Sequence, residues 1–219
     1  MAMTADGKIA SANRAVSSFG SKVDREHLLA LRAQADAVMA GARTVDLNPV
    51  NLGPGPEKFR KLRLRNGLAE YNLRVIVSGS GSIDTNAKIF RRRFSPILIL
   101  TSNHISRRRF QRLQSLADEV KICGEREIDF RSAFRWLRSK WNIKRLLCEG
   151  GGEVNGALFQ AGLVDEFHLT LCPKILGGRT APTISDGENP ATLAAGQSMR
   201  MVSSKRVGDE LFLVYRRSV

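Results

Sequence analysis

The chain is poor in sulfur and in aromatic side chains, and it has no long apolar run. Its three cysteines, Cys123, Cys148 and Cys172, lie tens of residues apart without a Cys-x-x-Cys pair, and His27, His104 and His168 are equally dispersed. That spacing argues against a disulfide framework and against a zinc site. The longest apolar runs, such as 97–100 and 211–215, fall far short of the roughly 18–20 residues that cross a bilayer, and residues 1–10 carry no apolar signal segment. A soluble, cytoplasmic protein is expected. Acidic residues are also scarce: 21 Asp and Glu stand against 35 Lys and Arg, for a net charge of +14. An excess of this size points to nucleic acid or to small phosphorylated ligands, and composition alone does not choose.

What is present is a globular chain of 219 residues, 42% hydrophobic, with its 19 glycines and 7 prolines spread out instead of repeated. No linker splits it, so one domain over residues 1–219 is expected. Short apolar runs at 37–40, 73–77, 96–100, 119–123, 144–148 and 166–171 alternate with helical patterns, which is the mark of βα units and a largely parallel sheet. Ser21 with Asp24 reads as a cap for a helix running to about Ala33, and residues 106–117 read as a second helix. In 129–141, Asp129 reads as an N-cap, and Phe130, Ala133, Phe134, Leu137 and Trp141 form an apolar stripe at helical spacing. Residues 199–205 and 211–216 flank the turn Val207-Gly208-Asp209-Glu210 and read as an antiparallel hairpin, giving a mixed sheet.

The most informative run is 145–159, in which an apolar strand ends at Glu149, three glycines follow, and a helix begins near Val154 and ends at Gly162. Consecutive glycines let main-chain N–H groups approach an anion, and the helix N-terminus adds its dipole. The run reads as a phosphate or pyrophosphate cradle, with a plain strand-to-helix turn as the alternative; it is neither a Walker A loop nor Gly-x-Gly-x-x-Gly. Glu149 stands at a strand end where open α/β sheets bind ligands, although a carboxylate there also suits a helix cap. A second strand end, 37–49, offers Gly41 for close backbone approach and Thr44, Asp46 and Asn48 as polar groups. Asp6-Gly7 reads as a structural turn, and Gly79-Ser80-Gly81-Ser82 as a small-residue loop open either to a ligand or to flexing. The arginine triplets 91–93 and 107–109 and the basic run 58–65 read as solvated faces without a nucleic-acid signature.

The strand–Glu-Gly-Gly-Gly–helix segment, continued by Val164-Asp165-Glu166 and by Pro173-Lys174-Ile175-Leu176-Gly177-Gly178, resembles the reductase domain of riboflavin biosynthesis. Residues 3–10, 31–41 and 180–182 agree with the same family in order, so the resemblance covers nearly the whole chain. It implies a dihydrofolate-reductase-like three-layer α/β fold, NADPH as cofactor and a homodimer. The implied reaction reduces the ribosyl side chain of an aminopyrimidine ribosylamino 5′-phosphate to the ribityl form, with the cofactor carrying the hydride.

By motif position, the resemblance places Gly150, Gly151, Gly152, Glu153, Val154 and Asn155 at the cofactor pyrophosphate, with Gly41, Thr44, Ser80 and Phe19 also on the cofactor. Ser17, Arg32, Leu52 and Glu149 are placed on the sugar-phosphate substrate, and Glu149 and Asp46 are the proton-donor candidates. The chain departs from the family at Thr44-Val45-Asp46-Leu47-Asn48-Pro49, one residue short before the proline and without its double acid, and no arginine closely follows Leu52. Neither His-Ala-Glu nor Pro-Cys-x-x-Cys occurs, so no deaminase half is expected. The competing readings are a reductase of another pteridine or pyrimidine, a nucleotide sensor without turnover, and a basic nucleic-acid-binding protein on an enzyme scaffold.

Overall fold

A computed structural model describes residues 1–13, 20–188 and 192–218. In chain order the elements are β1 (Ala2–Thr4), α1 (Lys22–Arg32), β2 (Ala37–Gly41), α2 (Ala42–Leu47), α3 (Glu57–Arg65), β3 (Leu73–Val77), α4 (Lys88–Arg91) and β4 (Ile97–Thr101). There follow α5 (Arg107–Gln114), β5 (Glu119–Ile122), α6 (Phe130–Trp141), β6 (Leu146–Cys148), α7 (Gly152–Gln160), β7 (Glu166–Cys172), β8 (Met199–Val207) and β9 (Glu210–Arg217). Two compact units result: Leu28–Glu149, and Met1–His27 together with Gly150–Val219.

The unit Leu28–Glu149 is a five-stranded, wholly parallel sheet of order β5-β4-β3-β2-β6. Its central strands are continuous apolar runs because both faces are covered. Val38, Ala40, Ile76, Ile97 and Ile99 pack on one face with Val45 of α2, Ile89 of α4 and Leu113 of α5. By alternation Met39, Val75, Leu98 and Leu100 point to the other face, and they too are buried. Helix α6 opens as its sequence predicts, with the Asp129 carboxylate accepting from Ser132 N at 3.0 Å.

Two arginines of this unit are structural. Arg74 is fully buried on β3 and donates to the carbonyls of Ile89, Arg92 and Ser95 while stacking 4.2 Å from the Phe94 ring; burial brings its guanidinium down to about 10. Lys58, Lys61 and Arg65 are exposed, as the reading of 58–65 as a mostly solvated face expects, and Arg63 is the exception. That segment is helix α3, whose buried side holds Phe59 and Arg63, and Arg63 donates to the carbonyls of Arg32, Ala35 and Ala69. The Arg63 guanidinium therefore ties down the chain that leaves α1.

In the other unit, β1 pairs parallel with β7, β7 antiparallel with β9, and β9 with β8, in the order β1-β7-β9-β8. The hairpin turn lies at Gly208-Asp209 as expected, with Gly208 at φ +60° and Val207 opposite Glu210. The α/β class, the parallel strands and the antiparallel C-terminal hairpin are as expected; the strands divide into two sheets, the parallel one of five and this mixed one of four, in which β1 and β7 run parallel. Strand pairing between distant segments leaves no mark on local periodicity, which is why the sequence does not show the division.

The Asp6 turn is structural, as its pattern suggests, and it is an anchor. The Asp6 carboxylate accepts from Thr4 Oγ1 at 2.6 Å, Gly177 N at 2.7 Å and Leu176 N at 3.1 Å, and these bonds, Thr4 foremost, lower it to about 2. Ala5 N donates to Lys174 O and Ile9 N to Pro182 O. Three of the segments that carry the resemblance are thus knitted together by main-chain bonds. Because the folded-state value lies below the ordinary 3.8, the stability that Asp6 contributes is present above about pH 4 and fades toward pH 2. Asp6→Asn is expected to lower Tm at pH 7, with the gap to the parent closing over that window in thermal melts; a gap independent of pH would show that the Asp6 charge does not anchor the turn.

Candidate functional site

In the parallel-sheet unit the chain runs outward from β2 through β3 and β4 to β5, then returns to the opposite side of β2 as β6. The topological switch point lies between the carboxyl ends of β2 and β6, where open α/β sheets form a ligand crevice. Gly41 ends β2 there, and Glu149 follows β6, its N–H donating to Met39 O at 2.8 Å.

The switch point holds one charged pair. Arg32, at the end of α1, grips Glu149 through both edges of the fork: Nε donates to Oε1 at 2.5 Å and Nη2 to Oε2 at 2.6 Å. Nη1 donates to Gly53 O at 2.6 Å. Both side chains are nearly buried, 10% and 11% exposed. Helix spacing alone makes Arg32 an ordinary surface residue; the fold makes it a bidentate partner of a carboxylate 117 positions away. Three of the five guanidinium N–H groups are used in these bonds. With both Glu149 oxygens accepting from Arg32, Glu149 acts in this arrangement as an acceptor that fixes the fork.

The 51–55 loop is held for this purpose. Gly53 N donates to Asn51 Oδ1, and a Cβ at Gly53 would come within 2.6 Å of the Phe94 ring. Leu52 adopts φ +54° with its side chain fully buried in the core, and its carbonyl accepts from Asn72 Nδ2 at 2.8 Å. The leucine side chain is therefore an anchor for the loop whose next carbonyl, Gly53 O, holds Arg32, which spacing could not reveal.

Thr44 lies in α2, where its carbonyl accepts from Asn48 Nδ2. Asp46 is spoken for locally: its carboxylate accepts from Asp84 N at 2.9 Å, and desolvation, with the nearby Asp84 charge, raises it above the usual carboxylate value. The Ser80 loop is pinned: Gly79 O accepts from Thr101 Oγ1, Ser102 Oγ and Ser102 N, and a Cβ on Gly81 (φ +67°) would strike Ile105 at 2.3 Å. Of the two readings of that loop, the flexible one does not fit these bonds.

In the hairpin unit, α7 begins at Gly152 with Gly151 as N-cap and no side-chain cap bond, two residues earlier than its apolar pattern suggests. Gly150 has φ +83°, and the Gly150–Gly151 peptide is cis. A Cβ on Gly150 would press on the Asn155 amide at 3.2 Å. Asn155 is buried and donates through Nδ2 to Ile184 O at 2.8 Å. Gly152 serves packing: a Cβ there would meet Asp186 Oδ2 at 2.3 Å and Thr183 O at 2.6 Å, and Gly152 O accepts from Asp186 N at 3.0 Å. Asp186, which sequence reasoning missed, is itself fixed by Thr183 N and Oγ1. Its only prior signal was its position after Thr180-Ala181-Pro182. Glu153 is exposed and Val154 half-buried. Ser17 and Phe19 lie outside the described residues.

Comparison with known proteins gives this geometry a context. The chain is 30% identical over 214 residues to the 2,5-diamino-6-ribosylamino-4(3H)-pyrimidinone 5′-phosphate reductase of Methanothermobacter thermautotrophicus, covering 98% of this chain and 94% of the relative. It is 29% identical to the protein of the same name from Archaeoglobus fulgidus, covering 86% and 85%. Its fold superimposes on Acinetobacter baumannii RibD with a TM-score of 0.78 at 21% identity, over all of this chain and 56% of that one. The RibD C-terminal domain matches residues 1–213, and the chain belongs to that family.

Proposed function

We propose that this chain is an NADPH-dependent reductase that converts the ribosyl side chain of an aminopyrimidine ribosylamino 5′-phosphate to the ribityl form, as a single reductase domain. The observation that carries the reading is the Arg32–Glu149 fork at the switch point of the parallel sheet, in a chain whose relatives are named for that activity. The two unspent N–H groups of Arg32 suit a phosphate oxygen pair, and the remaining lone pairs of Glu149 suit a sugar hydroxyl. The pair thus orients the substrate, and Gly53 O keeps the guanidinium from turning away. NADPH, when bound, supplies the hydride. The reduction also consumes a proton, for which Glu149 and Asp46 are the proposed donors; both are engaged in this structure, Glu149 by Arg32 and Asp46 by Asp84 N.

The fit of a pyrophosphate to the glycine turn rests on the open first turn of α7 and on the space that a Cβ at Gly150 would fill. Gly150, Gly151 and the amides of Glu153 and Val154 are the proposed donors there, with Gly152 and Asn155 shaping the turn. Gly41, Thr44 and Ser80 are further proposed cofactor contacts, and Leu52 a substrate contact through its main chain. The chemistry needs no nucleophile and no metal. The cofactor reading is tested by thermal shift: NADPH is expected to raise Tm more than NADH does. Gly151→Asp places a carboxylate in the turn and is expected to abolish the NADPH shift while circular dichroism stays unchanged; an undiminished shift would remove the turn from the cofactor site.

A homodimer in the cytoplasm completes the reading. The dimer is supported by the hairpin sheet, which leaves Met201 54% and Leu211 38% exposed on β8, its edge strand, and on β9 beside it. No helix among the described residues is long and apolar enough to cross a membrane. Sedimentation as a single copy at micromolar concentration would contradict the dimer.

A further inference from the structure

The excess of positive charge falls almost wholly in one of the two units. Residues 28–149 hold 24 Lys and Arg against 11 Asp and Glu, a net +13, while the rest of the chain is nearly balanced, with 11 against 10. Phosphorylated small molecules need a few cations at one point, and this excess is not at one point. Within it, Lys88 and Arg91 on α4, Arg92 and Arg93 just after it, and Arg107, Arg108, Arg109 and Arg112 on α5 are all exposed. Between positions 84 and 118 the only acids are Asp84 and Asp118.

The fold gathers these eight residues onto one side of the parallel sheet. Ile89 of α4 and Leu113 of α5 share a single core cluster on that side, and Arg112 donates to Thr85 Oγ1 and Arg109 to Ser80 O, which seats α5 beside the segment leading into α4. Among the described residues only Arg93 of the eight has a carboxylate partner, Asp118 at 3.2 Å. Helix α5 follows the carboxyl end of β4, whereas Arg91, Arg92 and Arg93 precede the amino end of the same strand. The basic residues therefore lie toward both ends of β4 instead of forming a focus on its ligand-binding end.

We infer that this α4–α5 face is a binding surface for the phosphate backbone of a nucleic acid, beyond the Arg32–Glu149 pair; of its eight residues Arg109 alone bonds a proposed cofactor contact, through Ser80 O. Seven of the eight residues are arginine, the side chain that meets phosphate with a planar fork. An anionic membrane fits less well, because none of the exposed large hydrophobic residues falls between positions 84 and 118, and a basic helix without an apolar face gains little at a bilayer. Phe90, Phe94 and Phe110 are each partly covered, so no ring is offered for base stacking, and binding is independent of sequence.

The test uses the full-length protein and a fluorescent 24-nucleotide polyuridine RNA, with anisotropy read from 50 to 200 mM salt. A Kd of about 1–100 μM near physiological salt is expected, weakening roughly 50-fold across that range as about four phosphates are neutralised. The variant K88A/R92A/R107A/R108A is expected to bind at least about tenfold more weakly, with reductase turnover unchanged. The control R65A/R135A/R138A/K144A removes the same charge from elsewhere in the unit and is expected to bind nearly as the parent does. Equal losses in the two variants would show a response to net charge and overturn the assignment of this face. Absence of RNA binding by the parent, or capture by phosphatidylserine vesicles without RNA binding, would overturn the proposal.

Discussion

Arg32→Met is expected to destabilise the protein by about 3 kcal/mol and to remove reductase turnover. The substitution keeps the apolar stem but leaves the Glu149 carboxylate, 11% exposed, without its two charge-assisted donors, and it strips Gly53 O of its own. The uncompensated, nearly buried charge outweighs the lost packing, because removing one partner of a buried pair costs far more than removing both. The double variant R32M/E149L, which replaces both charges with apolar volume, is therefore expected to recover most of the lost stability. Turnover is not expected to return, since the fork and the carboxylate are what hold the sugar phosphate. Urea unfolding of the two variants, with turnover measured on the same samples, separates the roles. A stable and active double variant would make the pair a strut of the fold and nothing more.

The second large effect is expected at Gly156→Ala. By helix propensity alone the substitution inside α7 should stabilise by roughly 1 kcal/mol. The packing reverses the sign, because the new Cβ would sit 1.8 Å from the carbonyl oxygen of Asp186 and 3.0 Å from its carbon. Those are backbone atoms of a segment that Thr183 already fixes and that donates from Asp186 N to Gly152 O, so the clash moves a loop and not one rotamer. Overpacking of this kind costs about 2–3 kcal/mol, which lowers Tm by roughly 5–10 °C for a chain of this size. A Tm equal to or above the parent's would contradict the close approach of residues 183–186 to α7. Gly152 and Gly156 would then have to be explained by the ligand alone.

The central strands were legible in the sequence because Ile97–Leu100 and Val75–Val77 are buried on both faces and so carry uninterrupted apolar runs. Helix α6 was legible from its stripe and its Asp129 cap, and the hairpin from its turn at Gly208, which adopts φ +60°. Helix α3 was not, because one of its two buried positions is an arginine, Arg63, satisfied by three carbonyls that no local pattern announces. The separate hairpin sheet depends on which distant strands pair, and periodicity carries no information about that.

The candidate site shows the same division. Glu149 and the glycines announce themselves by their place between a strand and a helix, whereas Arg32 is unremarkable on α1 and only the family resemblance points to it. The burial of Leu52 and the lodging of Asp186 beside Gly152 are consequences of tertiary packing. They could be found only once the loops were folded. The arginine triplets were legible as charge but not as one face, because α4 and α5 come together through Ile89 and Leu113 in the core.

The most direct test of the proposed reductase activity is to mix the protein and NADPH with 2,5-diamino-6-ribosylamino-4(3H)-pyrimidinone 5′-phosphate, or with its deaminated counterpart, and to follow cofactor oxidation and product together. The expected result is one ribityl product formed per NADPH consumed with at least one of the two substrates. Binding of NADPH without oxidation in the presence of either pyrimidine would contradict the assignment as the reductase.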